Sequence, residues 1–94
     1  MSIKKFVLEN PAVRLLLLVY ERRRVRHKDL AAVVSSRGTL SYSLRSLLEE
    51  GLVAREVRIE TRPVESYYAI TRKGERIAYH LKAIREILSD SGED

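Results

Sequence analysis

The chemistry on offer in this chain is mostly that of arginine. Arg22-Arg23-Arg24-Val25-Arg26-His27-Lys28 places five permanent cations in seven residues. A guanidinium presents a planar fork of donors that fits phosphate, and a lysine ammonium meets the same group as a point charge. A second set is mixed: Arg37, Thr39, Ser41, Tyr42, Arg45 and Ser46 combine guanidinium and hydroxyl donors within ten residues. Such groups hydrogen-bond phosphate oxygens and base edges. Arg58 and Arg62 add two cations further along. This is the chemistry of recognising a polyanion, not of breaking bonds.

No catalytic set accompanies it. The chain has no cysteine, which excludes disulfides, thiolate ligands and thiol nucleophiles. Its two histidines, His27 and His80, lie about fifty residues apart, too isolated for a metal motif. The phosphate-cradling glycine loops and the G-x-S-x-G nucleophile elbow are absent. We expect no enzyme activity, no cofactor and no metal.

The charge balance agrees. The net charge is +5, and three of the thirteen acids, Asp90, Glu93 and Asp94, crowd into the last six residues. Without them the chain stands at +8, with 18 basic against ten acidic side chains. A domain this basic attracts nucleic acid or an anionic membrane surface. The longest apolar run, Leu15 to Tyr20, is six residues, far short of the roughly 20 that span a bilayer. The N-terminus has no signal-peptide pattern, so a cytoplasmic location is expected. One asparagine and no glutamine beside many arginines and glutamates suggest a thermophilic source.

Ninety-four residues make one domain with a modest core, which a partner chain would reinforce. Ser2 to Glu9, with Ile3, Phe6 and Val7, reads as an arm that packs against something. Asn10-Pro11 opens a helix to about Arg22, because Asn caps well and Pro suits the first helical position. A short helix follows over Lys28 to Val34. Ser35-Ser36-Arg37-Gly38 is a turn by composition. A third helix runs from Thr39 to Glu50 and stops at Gly51. Its Leu40, Leu44, Leu47 and Leu48 form an inner face, leaving Thr39, Tyr42, Arg45, Ser46 and Glu49 outside, with Ser41 and Ser43 flanking. The period then changes to two. Val53, Arg55, Val57 and Ile59 alternate with their neighbours, and Glu65 to Thr71 forms a second strand after a break at Thr61-Arg62-Pro63-Val64. Tyr67 and Tyr68 are expected to pack within this hairpin rather than to stack on bases. Thr71 caps a last helix, Arg72 to Leu88, striped by Ile77, Leu81, Ile84 and Leu88.

Two motifs now resemble a known superfamily. Leu44-x-x-Leu47-x-x-x-Gly51-Leu52-Val53 closes a run from Gly38 that resembles the recognition-helix signature of winged helix-turn-helix transcription regulators. Tyr67-Tyr68-Ala69-Ile70-Thr71-Arg72-Lys73-Gly74 resembles their second wing strand running into a capped helix. The Pro63, Glu65, Tyr68 and Thr71-x-x-Gly74 spacing leans toward the HxlR type, with PadR and MarR families sharing much of it. The chain lacks the N-terminal cysteine usual in HxlR sensors and the extra helices of MarR proteins.

The resemblance implies an α+β, mostly α, winged helix-turn-helix fold: three-helix core, two-stranded wing and long C-terminal helix. It implies sequence-specific binding of double-stranded DNA as a homodimer. On this reading residues 1–88 are the DNA-binding domain with its dimerising ends, and 89–94 form an acidic flexible tail. Thr39, Ser41, Tyr42, Arg45 and Ser46 face the major groove. Lys28, Arg37, Arg24 and Arg26 meet phosphate, and Arg58 and Arg62 serve the wing. Ile3, Phe6, Val7, Ile77, Leu81, Ile84 and Leu88 form the dimer seam. No residue group points to a particular small-molecule effector. Two other readings fit the same residues: a winged-helix interaction module of a transcription or replication assembly, and a non-specific nucleic-acid binder.

Overall fold

A computed structural model describes residues 2–60 and 62–90. Helix α1 (Ile3–Glu9) is capped by Ser2, whose hydroxyl accepts from the Lys5 N–H. The segment read as an arm is therefore a helix, and it packs against the helices α2 (Pro11–Arg22) and α5 (Arg72–Ser89). Helix α2 (Pro11–Arg22) begins as its sequence dictates: Asn10 Oδ1 accepts from the N–H groups of Ala12 and Val13 at 2.9 and 3.2 Å. Leu15, Leu16, Leu17 and Val19 bury it on more than one side.

Arg23 ends this helix with a φ of +71°, a left-handed conformation that costs an L-residue about 1–2 kcal/mol. It turns the chain into strand β1 (Arg24–Arg26), of which only Val25 is buried. Three residues with one apolar centre are too few to show a period, so the strand was hidden in the cationic run. Helix α3 (His27–Val33) follows directly, its entry fixed by the Arg26 N–H donating to Asp29 Oδ2 at 2.9 Å.

Helix α4 (Arg37–Glu49) begins two residues before Thr39, because Ser36 is the cap: its Oγ accepts from the Thr39 N–H. At the far end Leu52 N–H reaches Leu47 O and Gly51 N–H reaches Leu48 O, with Gly51 at φ +72°. That pair of bonds is a Schellman cap. Strands β2 (Val53–Arg58) and β3 (Glu65–Ile70) form the hairpin, and β1 joins its other side to give a sheet of order β1-β3-β2. The expected two-stranded wing is thus part of a three-stranded antiparallel sheet.

Helix α5 (Arg72–Ser89) is capped by Thr71, whose Oγ1 accepts from the Gly74 N–H at 2.9 Å and donates to Gly51 O at 2.6 Å. A Cβ on Gly74 would overlap the Leu52 carbonyl oxygen. The Thr-x-x-Gly pattern therefore lets α5 press onto the start of the wing. Leu15, Leu16, Val19, Leu30 and Val53 form the most deeply buried centre, shared by α2, α3 and β2. Among the described residues no helix is long and apolar enough to cross a membrane. The tail expected to be flexible lies, from residue 91, outside the described residues.

Candidate nucleic-acid interface

Directly opposed residues of an antiparallel ladder share a face. Val25, Tyr68 and Arg55 are opposed across the three strands, and so are Arg26, Tyr67 and Glu56. Tyr68 is buried with Val25, so their face is the inner one, toward the helices. The outer face centres on Tyr67. Arg24, Arg26 and Arg58 lie 5.5, 5.4 and 5.8 Å from its ring centroid. Arg24 pairs with Glu56 and Arg26 with Glu65, both at 3.2 Å. The Tyr67 hydroxyl donates to Glu65 at 2.6 Å and accepts from Arg26 at 3.2 Å. That hydrogen bond first, and then the Glu65 carboxylate, hold the Arg26 guanidinium pKa above its ordinary value.

The dense cationic run is therefore largely answered by acids. Arg22 meets Asp29 at 4.0 Å, and Arg23 pairs with Glu75. Arg24 and Arg26, expected among the DNA contacts, sit on the outer sheet face in the network around Tyr67. The sequence missed this because their partners lie about thirty to forty residues away in the hairpin.

A different set of cations has no such partner. Among the described residues Lys28, Arg37 and Arg45 are exposed and form no ion pair. Lys28 lies in the first turn of α3. Arg37, Ser41 and Arg45 are spaced by four on α4 and so form one row. They line a groove with His27, Leu40 and Tyr68, between α4 and the inner face of the sheet. Tyr42, 74% exposed, stands beside this row. Thr39 is exposed at the start of the helix.

Two serines expected on or beside the outer face do not lie there. Ser43 is buried, and Ser46 is half-buried in a hollow lined by Ala12, Val13, Ile77 and Leu81. The leucines of α4 centre its buried face nearer Ser43 than a wheel drawn from Thr39 suggests. On the wing, Arg62 is exposed, with its guanidinium 3.4 Å from Ile59 O. Arg58 ends β2, and Arg55 donates to Ser66 Oγ at 3.2 Å.

The expected dimer seam is split. Ile3, Phe6, Ile77 and Ile84 are exposed, whereas Val7 and Leu88 are half-buried and Leu81 packs on the core. Ile87, which widens the stripe, is exposed beside them.

Comparison with known proteins agrees with this fold. The reduced form of the transcriptional regulator YodB from B. subtilis superposes with a TM-score of 0.71 at 21% identity, over 99% of this chain and 96% of that one. A MarR-family transcriptional regulator from Silicibacter pomeroyi gives 0.74 at 22% identity, over 97% of this chain and 65% of that one. The adhesin competence repressor AdcR from Streptococcus pyogenes gives 0.68 at 20% identity, over 83% of this chain and 57% of that one. The chain thus spans less than two thirds of the latter two, and at these identities the likeness concerns the fold. No curated protein matches. Residues 11–94 match the family described as HxlR-like helix-turn-helix. With nine-tenths of its length matched and the winged helix-turn-helix architecture in place, the chain belongs to the HxlR-like helix-turn-helix family.

Proposed function

We propose that this protein is a sequence-specific double-stranded DNA-binding transcription regulator, acting in the cytoplasm as a homodimer. The observation that carries the proposal is the exposed, acid-free row of α4. Arg37, Ser41 and Arg45, with Tyr42 beside them, stand on one side of a helix that has no carboxylate before Glu49. Set in a major groove, Arg45 can fork onto guanine O6 and N7, and Ser41 and Thr39 reach bases or phosphate. Lys28, in the first turn of α3, neutralises a phosphate without reading sequence. Arg62 and Arg58 bring the wing to the backbone or minor groove. Ser46, Arg24 and Arg26 serve the fold instead.

The dimer is supported by apolar side chains that the single chain leaves uncovered. Ile3, Phe6, Ile77, Ile84 and Ile87 are exposed on helices α1 and α5, which pack against each other. A twofold assembly presents two copies of α4 to half-sites about 34 Å apart.

Selection from a pool of random duplexes at two salt concentrations tests the proposal. A recovered palindrome is the expected outcome. Retention without a motif, falling steeply with salt, would make the protein a general nucleic-acid binder. No retention at low salt would favour a protein-interaction module.

A further inference from the structure

The groove beside α4 contains a histidine that the interface described above leaves without a role. His27, the first residue of α3, lines it together with Arg37, Ser41 and Arg45. Its ring is tilted at 51° to that of Tyr68, with centroids 6.4 Å apart. The imidazole is exposed and, among the described residues, makes no hydrogen bond or ion pair. No carboxylate lines the groove, whose remaining walls are Leu40, Leu44, Leu48 and Tyr68. The elements packed against α3 bring mostly cations to its surroundings. Helix α4 contributes Arg37 and Arg45, and β3 contributes the Tyr68 phenol. Strand β1 ends in Arg26, whose guanidinium is engaged with Tyr67 and Glu65 on the outer face. Arg22 of α2 lies 4.0 Å from Asp29, which also accepts from the Arg26 N–H. On α3 itself Lys28 follows His27 but does not line the groove. Two guanidiniums and an imidazole on a concave, acid-free surface suit one anionic group.

We infer that His27 joins Arg37 and Arg45 in holding one backbone phosphate of DNA, and that it does so as the imidazolium, so that DNA binding takes up a proton. The inference rests on the DNA-binding reading above. Guanidinium and ammonium groups keep their charge at any ordinary pH, whereas an imidazole gains its charge between about pH 5 and 8. Of the basic side chains at the interface, His27 is therefore the one whose charge changes in that range. A phosphate beside the ring favours the charged form. The complex then holds the proton more firmly than the free protein does, and affinity falls as the pH rises. The imidazolium also displaces a counterion from the phosphate, so the salt dependence is steeper on the acid side.

The test uses the duplex recovered by selection, with affinity measured by fluorescence anisotropy across a salt series at about pH 6 and about pH 8. The unmodified protein is expected to bind about tenfold more weakly at the higher pH. Its slope of log K against log salt is expected to be smaller there by about 0.9. His27→Gln binds at both pH values with the weaker affinity and the smaller slope. His27→Arg, which keeps a cation in place, binds at both with the tighter affinity and the larger slope. His80→Gln, on α5 in a hollow with Lys73, Arg76 and Ile77, keeps the pH dependence of the unmodified protein. Calorimetry of the unmodified protein in two buffers of different ionisation heat reports the proton uptake without any substitution. Absence of uptake, or affinity indifferent to pH, overturns the inference. So does a pH dependence that survives in His27→Gln. Failure of the unmodified protein to bind any duplex at either pH removes the DNA reading and this inference together, an outcome distinct from a bound duplex indifferent to pH.

Discussion

At the scale of single residues, what matters is which cations are already occupied. Lys28 and Arg45 have no carboxylate partner among the described residues, but they stand at different places on the proposed interface. Arg45→Ala is expected to cost about 1–3 kcal/mol of discrimination between the selected duplex and a scrambled one. Lys28→Ala is expected to weaken both equally and to lower the salt slope by about 0.9. Parallel titrations of the two duplexes check both. Gly38 makes a separate case. A Cβ there meets nothing within 4 Å and its φ is ordinary, so the fold has no need of a glycine. It lies in the first turn of α4, on the exposed side. Gly38→Ala should raise stability by up to about 1 kcal/mol, seen as a higher Tm, while weakening binding where DNA comes closest to the helix. Residue types made the candidate set legible in the sequence; residue partners did not. Arg24, Arg26 and Ser46 carried suitable chemistry, and only folding showed that distant acids or the core claim them.

At the scale of elements, most of the fold was legible because local signals agree with one another. Asn10-Pro11, Gly51 and Thr71-x-x-Gly74 each mark a helix boundary by a capping mechanism that the structure repeats. Strand β1 and helix α1 were not legible. The first carries a single apolar residue, and in the second the helical spacing of Ile3, Phe6 and Val7 extends over little more than one turn, too short to tell a helix from an arm. Both are defined by what they pair with. The joint between wing and α5 yields a stability prediction. Because an added methyl meets backbone at Leu52 and the Ile70 side chain, Gly74→Ala should destabilise by about 1–3 kcal/mol. Thermal denaturation measures this, and a Tm equal to that of the unmodified protein would contradict the close approach described. The network around Tyr67 ties β1 to the hairpin in the same way. Tyr67→Phe removes a hydroxyl that bonds both Arg26 and Glu65, and it should cost about 0.5–1.5 kcal/mol.

At the scale of the whole molecule, the chain is elongated. Its extents are 54 × 27 × 21 Å, and its radius of gyration is 14.4 Å, against about 12 Å for a compact chain of this length. The proposed dimer surface was only partly legible: the stripe on α5 was visible at helical spacing, but spacing could not divide it between the core, which takes Leu81, and solvent, which keeps Ile77 and Ile84. Ile84→Glu places a charge on an already exposed position. It should shift the protein toward monomer in sedimentation while changing the folding stability of the single chain by no more than about 0.5 kcal/mol. The loss of the second half-site then weakens binding to a palindrome far more than binding to a single half-site. The most direct test of the central claim is the affinity ratio of the unmodified protein for its selected duplex over a scrambled duplex at physiological salt. A ratio on the order of 10³ or more is the expected result for a regulator that reads bases through α4. Equal affinities would contradict it.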